Sequence, residues 1–199
     1  MWEYEQQAIE SGFHIVCGCD EAGAGPLAGP VYAAAVVLPF GIEIPGLNDS
    51  KKLTEKKREA LFPIIQTLAL GYGIACVDAK EIDETDILSA RMKAMQLAID
   101  ALPGTVDFAL IDGNRDKGKI SRISTSHTCV VKGDSLSASI AAASVLAKVS
   151  RDHFMLEQAK LYPEYCFEKH KGYGTKLHYE LLREYGPSPI HRKTFLKNL

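Results

Sequence analysis

The sequence predicts an α/β domain, a β-sheet with helices packed against it. Three observations carry this prediction. Short apolar runs rich in β-branched residues, closed by glycine, proline or an acid, recur at residues 13–19, 31–38, 72–77, 107–111 and 128–131 and read as strands. Between them, residues 54–70 and 87–102 place apolar side chains at helical spacing, and an alanine-rich run follows residue 133. Finally, 199 residues with 46% hydrophobic and 24% charged side chains suffice for one well-cored domain, and two full domains would need more chain.

Taken in chain order, the first strand ends at Asp20-Glu21 and a loop of glycine and proline. The second run, 31–38, is assigned as a strand, although its three alanines leave a helix open on periodicity alone. In 54–70 the apolar residues Ala60, Leu61, Ile64, Ile65 and Leu68 share a face, Thr54 is the N-cap, and Pro63 predicts a kink. Residues 87–102 form an amphipathic helix stopped by Pro103-Gly104. The strand at 107–111 runs into Asp112-Gly113-Asn114, a basic hairpin spans 115–122, and Gly133-Asp134-Ser135 opens a helix that extends to about residue 159. The last forty residues change texture, with Pro163, Pro187, Pro189, Gly172, Gly174, Gly186 and one short helix at 177–185. The expected organisation is a main domain over 1–160 with a small helical extension, 161–199, packed on it.

The acidic N-terminus has neither a basic n-region nor an apolar h-region, so no signal peptide is expected. The longest apolar stretch, 31–40, is interrupted by Pro39 and falls short of the roughly 18–20 residues of a membrane span. No membrane association and a cytoplasmic location follow as expectations. The five cysteines are odd in number and lack C-x-x-C spacing, which argues against a disulfide framework or structural zinc; Cys17 and Cys19, two apart on one strand face, are read as packing residues. Twenty-three Lys and Arg against 25 Asp and Glu give a net charge of −2. That balance excludes a protein that coats nucleic acid by bulk charge, though not one with a local basic strip.

Acids follow apolar strands at three places: Asp20 and Glu21, Asp112, and Asp134. Singly, each suits a turn or cap. Together, carboxylates at the ends of neighbouring strands need a cation or protonation, and a divalent metal satisfies them most directly. The loop 23–28 also matches G-x-G-x-x-A in form, but Pro26 and the following strand do not suit the helix that a dinucleotide fingerprint opens.

The residues that carry these signals resemble the type 2 ribonuclease H family, ribonuclease HII. The resemblance rests on residues 20–31 (DEAGAGPLAGPV), 48–53 (NDSKKL), 110–114 (LIDGN), 131–135 (VKGDS), 141–152 (AAASVLAKVSRD) and 170–175 (HKGYGT), in order and in spacing. It implies a ribonuclease H-like fold with a mixed five-stranded sheet flanked by helices and a C-terminal helical extension. It implies that Asp20, Glu21, Asp112 and Asp134 form the catalytic, metal-binding set for Mg²⁺ or Mn²⁺, two ions at turnover. With their help, water attacks the phosphate on the 5′ side of a ribonucleotide and leaves 3′-hydroxyl and 5′-phosphate ends. The implied partners are an RNA–DNA hybrid or a DNA duplex containing ribonucleotides, bound by a monomer.

By the same resemblance, backbone groups at Gly23 and Gly25 bind the 2′-hydroxyl, and Tyr173 packs on the sugar of the following deoxynucleotide. Lys51 and Lys52 fit as phosphate contacts, which position a duplex without specifying its sequence. The family's loop is normally Gly-Arg-Gly, whereas this chain has Ala24 at its centre; weaker substrate binding is expected from the missing cation. Two other readings stand beside the endonuclease: a duplex-binding protein without turnover, and a small dinucleotide-binding oxidoreductase supported only by the glycine pattern.

Overall fold

The computed structural model describes residues 1–197. Five strands, β1 (Val16–Ala22), β2 (Val31–Val37), β3 (Gly71–Val77), β4 (Phe108–Asp112) and β5 (His127–Val130), form one mixed sheet in the order β3-β2-β1-β4-β5. β1 pairs antiparallel with β2 and parallel with β4; β2–β3 is antiparallel and β4–β5 parallel. All five predicted strands are present. The doubt over 31–38 is settled by position: β2 is paired along both edges, and Val31, Ala33, Ala34, Ala35 and Val36 are fully buried between helices.

The helices are α1 (Glu3–Glu10), α2 (Glu55–Leu68), α3 (Ala79–Glu84), α4 (Ile87–Asp100), α5 (Gly133–Leu136), α6 (Ala138–Leu161), α7 (Phe167–His170) and α8 (Lys176–Tyr185). Thr54 caps α2 by accepting from the Lys57 amide at 3.3 Å, and the helix passes through Pro63 without ending. Two helices before residue 133 were not expected, and two expectations are corrected. The helix at the acidic N-terminus and the one-and-a-half-turn α3, capped by Asp78, give too short an apolar pattern to stand out in the sequence. The helix expected to run unbroken from residue 133 is two, because Ser137 ends α5 in an extended conformation and its hydroxyl then caps α6 through the Ile140 amide. α4 stops at Asp100, two residues before the expected end.

Strand alternation divides the core. Cys17, Cys19, Ala33, Ala35, Ala109 and Ile111 face α4, where they pack with Met92, Met95, Ala98 and Ile99. Ala34 and Val36 on the other face meet α6 and α2 through Ala142, Val145, Leu146, Leu61 and Ile65. Cys17 and Cys19 therefore serve as packing residues, and burial pushes the Cys17 thiol up to about 12. Past α6, Tyr165, Phe167 and Leu182 close on Leu27, Ala28 and Met155. That cluster seats the C-terminal helices beside the loop that joins β1 to β2.

Candidate active site

β1 and β4 run parallel with Gly18 opposite Leu110 and Cys19 opposite Ile111. Continuing this register sets Asp20 beside Asp112, both on the face that meets α5 and α6. Asp134 enters from the first turn of α5, with its own amide donating to Asp112 Oδ1 at 3.3 Å. Carboxylate oxygens of Asp20, Asp112 and Asp134 all lie within 4.8 Å of one another. Asp20 sits inside a strand and Asp134 on a helix, so the simple picture of acids following strands holds only for Asp112, the last residue of β4.

Glu21, one residue on, turns to the opposite face and meets Arg91 of α4, whose Nη2 donates to Oε1 at 2.5 Å. Its other oxygen, Oε2, is buried without a hydrogen-bond partner. Nothing in the local pattern singles out Arg91, since a cation in the middle of an amphipathic helix reads as solvated.

Electrostatics follow from this crowding. Burial, then the charges of Glu21 and Asp112, holds the Asp20 carboxyl well above the usual carboxylate range. Burial also raises Glu21, against the pull of Arg91. Asp134 is raised by burial and by Asp112. Burial alone would lower the Lys51 ammonium, but Asp20, Asp134, Asp49 and Asp112 together lift it. Lys51 Nζ stands 3.5 Å from Asp134 Oδ2, and one mostly exposed ammonium does not neutralise four acids. An all-oxygen donor set of crowded, largely buried carboxylates fits a hard divalent cation, which Asp20, Asp112 and Asp134 could hold.

The hollow at these acids is lined by Asp49, Lys51, Lys52, Asp112, Lys132, Asp134 and Ser135. Lys51 and Lys52 are exposed at its rim, as a phosphate-binding role requires. Lys52 also lies 3.9 Å from Asp49, which caps the short turn at 50–52 through the Lys51 amide at 2.9 Å. Lys132 is a residue the sequence reading passed over; it adopts a left-handed backbone, φ +59°, uncommon away from glycine and frequent at functional sites.

The loop from Gly23 to Pro30 leads into β2 and opens no helix, so no helix N-terminus is available for a pyrophosphate and the dinucleotide reading falls. Gly23 and Gly25 differ physically. Gly23 is buried at φ +93°, and a Cβ there would lie 2.1 Å from Arg151 Nε; at Gly25 a Cβ would meet nothing within 4 Å. Gly23 is therefore required by the protein's own packing, while Gly25 faces open space. Ala24 is half-buried between them. Tyr173 is 42% exposed, with Lys148 Nζ 5.8 Å and the Arg151 guanidinium 5.6 Å from its ring. Arg151 is fully buried.

Comparison with known proteins gives concordant results. Residues 17–198 match the family described as Ribonuclease HII. Ribonuclease HII of Ruminiclostridium cellulolyticum is 52% identical over 198 residues, spanning 100% of this chain and 76% of that one. Ribonuclease HII of Endomicrobium trichonymphae is 54% identical over 195 residues, spanning 98% and 91%. The crystal structure of ribonuclease H2 from Pyrococcus horikoshii OT3 superposes with a TM-score of 0.74 at 27% identity, covering 91% of this chain and 93% of that one.

Proposed function

Because this chain belongs to the ribonuclease HII family, we propose that it cuts the RNA strand of RNA–DNA hybrids on the 5′ side of a ribonucleotide, at RNA–DNA junctions and at single ribonucleotides embedded in duplex DNA. Endoribonuclease action on hybrids follows from family membership; the position of the cut, its 3′-hydroxyl and 5′-phosphate ends and a role in removing ribonucleotides from DNA extend it. The observation that carries the reading is the convergence of Asp20, Asp112 and Asp134 within 4.8 Å beside exposed lysines.

Asp20, Asp112 and Asp134 would hold Mg²⁺ or Mn²⁺, two ions at turnover, and Glu21, held by Arg91, completes the acidic set beside them. Bound there, divalent ions supply charge neutralisation at the phosphate and a water of lowered pKa. Lys51 and Lys52 bind flanking phosphates and set the register of the duplex. Main-chain groups at Gly23, Ala24 and Gly25 approach the 2′-hydroxyl, the one group that separates a ribonucleotide from its neighbours in the duplex. The open space at Gly25 supports that approach. The partly exposed Tyr173 ring takes the sugar of the next deoxynucleotide.

Every one of these groups comes from one chain, which supports action as a monomer. A nucleic-acid substrate and bacterial relatives support a cytoplasmic location; among the described residues no helix is long and apolar enough to cross a membrane. We divide the chain into a catalytic part, 1–160, and an extension, 161–199, supported by the apolar cluster through which Phe167 and Leu182 meet Leu27 and Met155.

A labelled duplex with one ribonucleotide, incubated with Mg²⁺ or Mn²⁺, is expected to yield a single cut at its 5′ side. Asp112→Asn or Asp134→Asn should slow that cut at least about a hundredfold, since even the outer partners of metal ligands are worth 10- to 100-fold. Binding without product at enzyme excess would leave only a duplex-binding protein and overturn the reading.

A further inference from the structure

Two arginines lie deep beside the loop that follows β1. Arg151 of α6 and Arg192 near the C-terminus are both fully buried, and all six hydrogen bonds they donate end on main-chain carbonyls. Arg192 binds the carbonyls of Gly29 (2.9 Å), Ala24 (2.9 Å) and Gly23 (2.6 Å). Arg151 binds those of Pro30 (3.1 Å), Ala28 (3.0 Å) and Lys171 (3.0 Å). Five of the six acceptors therefore fall in one eight-residue loop, and the sixth lies two residues before Tyr173.

Burying a guanidinium without a carboxylate partner is costly, and an apolar side chain would fill the same volume at less expense. What the fork provides that an apolar chain cannot is direction: each planar head fixes three carbonyls relative to one another. The loop needs this, because its main-chain bonds go outward. Leu27 N–H donates to Gly172 O (2.9 Å), Gly29 N–H to Ile190 O (2.9 Å), and Leu27 O accepts from Arg192 N–H (2.8 Å). Gly172 approaches so closely that a Cβ on it would lie 2.5 Å from Ala28 O.

Tyr173 is tied to the same place from the other side. The Ser188 amide can only donate, so His191 Nδ1 accepts from it (2.9 Å) and His191 carries its proton on Nε2. That proton goes to His178 Nε2 (3.0 Å), leaving His178 Nδ1–H to donate to Tyr173 O (2.9 Å). His191 and Arg192 are consecutive: one holds Tyr173 through a directed relay, the other holds Gly23 and Ala24.

We propose that Arg151 and Arg192, with the His191–His178 relay, are positioning residues that fix the separation between the main chain at 23–25 and the Tyr173 ring, and thereby the preference for a ribonucleotide–deoxynucleotide junction over continuous RNA. This rests on the reading above that those two places meet the two nucleotides of the junction. Neither arginine touches the reacting atoms.

The test compares kcat/KM on a duplex with one ribonucleotide against a continuous hybrid, together with amide hydrogen exchange at 23–29 and 172–173, for Arg192→Met and Arg192→Lys. Leu182→Ala serves as control, since it thins the same apolar cluster without removing a hydrogen bond to either segment. Arg192→Met should lower the substrate ratio about tenfold, within the range a 1 Å misplacement can produce, and both segments should lose protection together. Arg192→Lys, which keeps the charge and not the fork, should fall between, and Leu182→Ala should leave the ratio unchanged. If Arg192→Met fails to fold, Arg192→Lys carries the same comparison. A ratio unchanged within twofold in a folded variant, or loss of protection at 23–29 alone, would overturn the inference. Should the unmodified protein itself show no difference between the substrates, the reading of Tyr173 and the loop fails, while joint loss of protection still decides whether the two segments are held as one.

Discussion

Asp20 and Glu21 are neighbours in sequence with opposite surroundings, because successive side chains of a strand point to opposite faces. Asp20 joins Asp112 and Asp134, while Glu21 is held by Arg91. The glycines nearby divide in the same way. Gly25→Ala should leave stability within about 0.5 kcal/mol, as expected for a surface change without strain, yet reduce cleavage of a duplex with one ribonucleotide by obstructing the main chain. Gly23→Ala should lower stability by about 1–3 kcal/mol through its positive φ alone, measured by urea denaturation. At the position between them, Ala24→Arg should improve cleavage of the same duplex; equal rate and affinity would show that the missing cation is immaterial. The acids, the glycines and Ala24 were all legible in the sequence. Arg91, Arg151 and Lys132 were not, because a cation's partner is set by which face of which element it lies on.

At the scale of elements, the C-terminal segment depends on neutral histidines. Burial, followed for His191 by the neighbouring His178, pushes both imidazoles down to about 4. An unfolded histidine titrates near 6.5, so the unfolded chain binds more protons in the interval between these values. The relay's contribution is thus complete above about pH 6.5, declines as the pH falls, and is lost near pH 4. For the first proton the loss is on the order of 3 kcal/mol, and a fall in the urea midpoint from pH 7 to pH 4.5 would register it. His178→Gln should flatten that dependence; an unchanged slope would show that other groups govern it. In the sequence this segment gave its one amphipathic helix, α8, within a residue, but not α7 or the turns at 163–165 and 193–195, which are too short to show a period.

For the whole molecule, a net charge of −2 conceals a strong local imbalance. Four acids are concentrated in and beside one hollow, and Lys51, Lys52 and Lys132 border it. Divalent ions would reverse the local sign and let those lysines meet a polyanion. Ions that bind only the folded chain also stabilise it, by about 2.7 kcal/mol at one hundred times their dissociation constant, which is about 5–10 °C in Tm for a chain of this size. A thermal scan with and without Mg²⁺ or Mn²⁺ should show that rise, and Asp112→Asn should abolish most of it. An equal rise in the variant would place the ions elsewhere.

The α/β class, the five strands, the three long helical regions and the acids were legible from residue order alone, because these depend on local periodicity, capping and residue chemistry. That order left the meeting of Asp20 with Asp112 undecided: they are far apart in the chain and meet only through the parallel register of β1 and β4. It could not place Arg151 and Arg192 either, since a buried arginine and a solvated one have the same local pattern. Both arginines reach the carbonyls of one loop only when distant segments of the chain pack together, and there they supply donors to carbonyls that the loop's own main-chain bonds leave without partners.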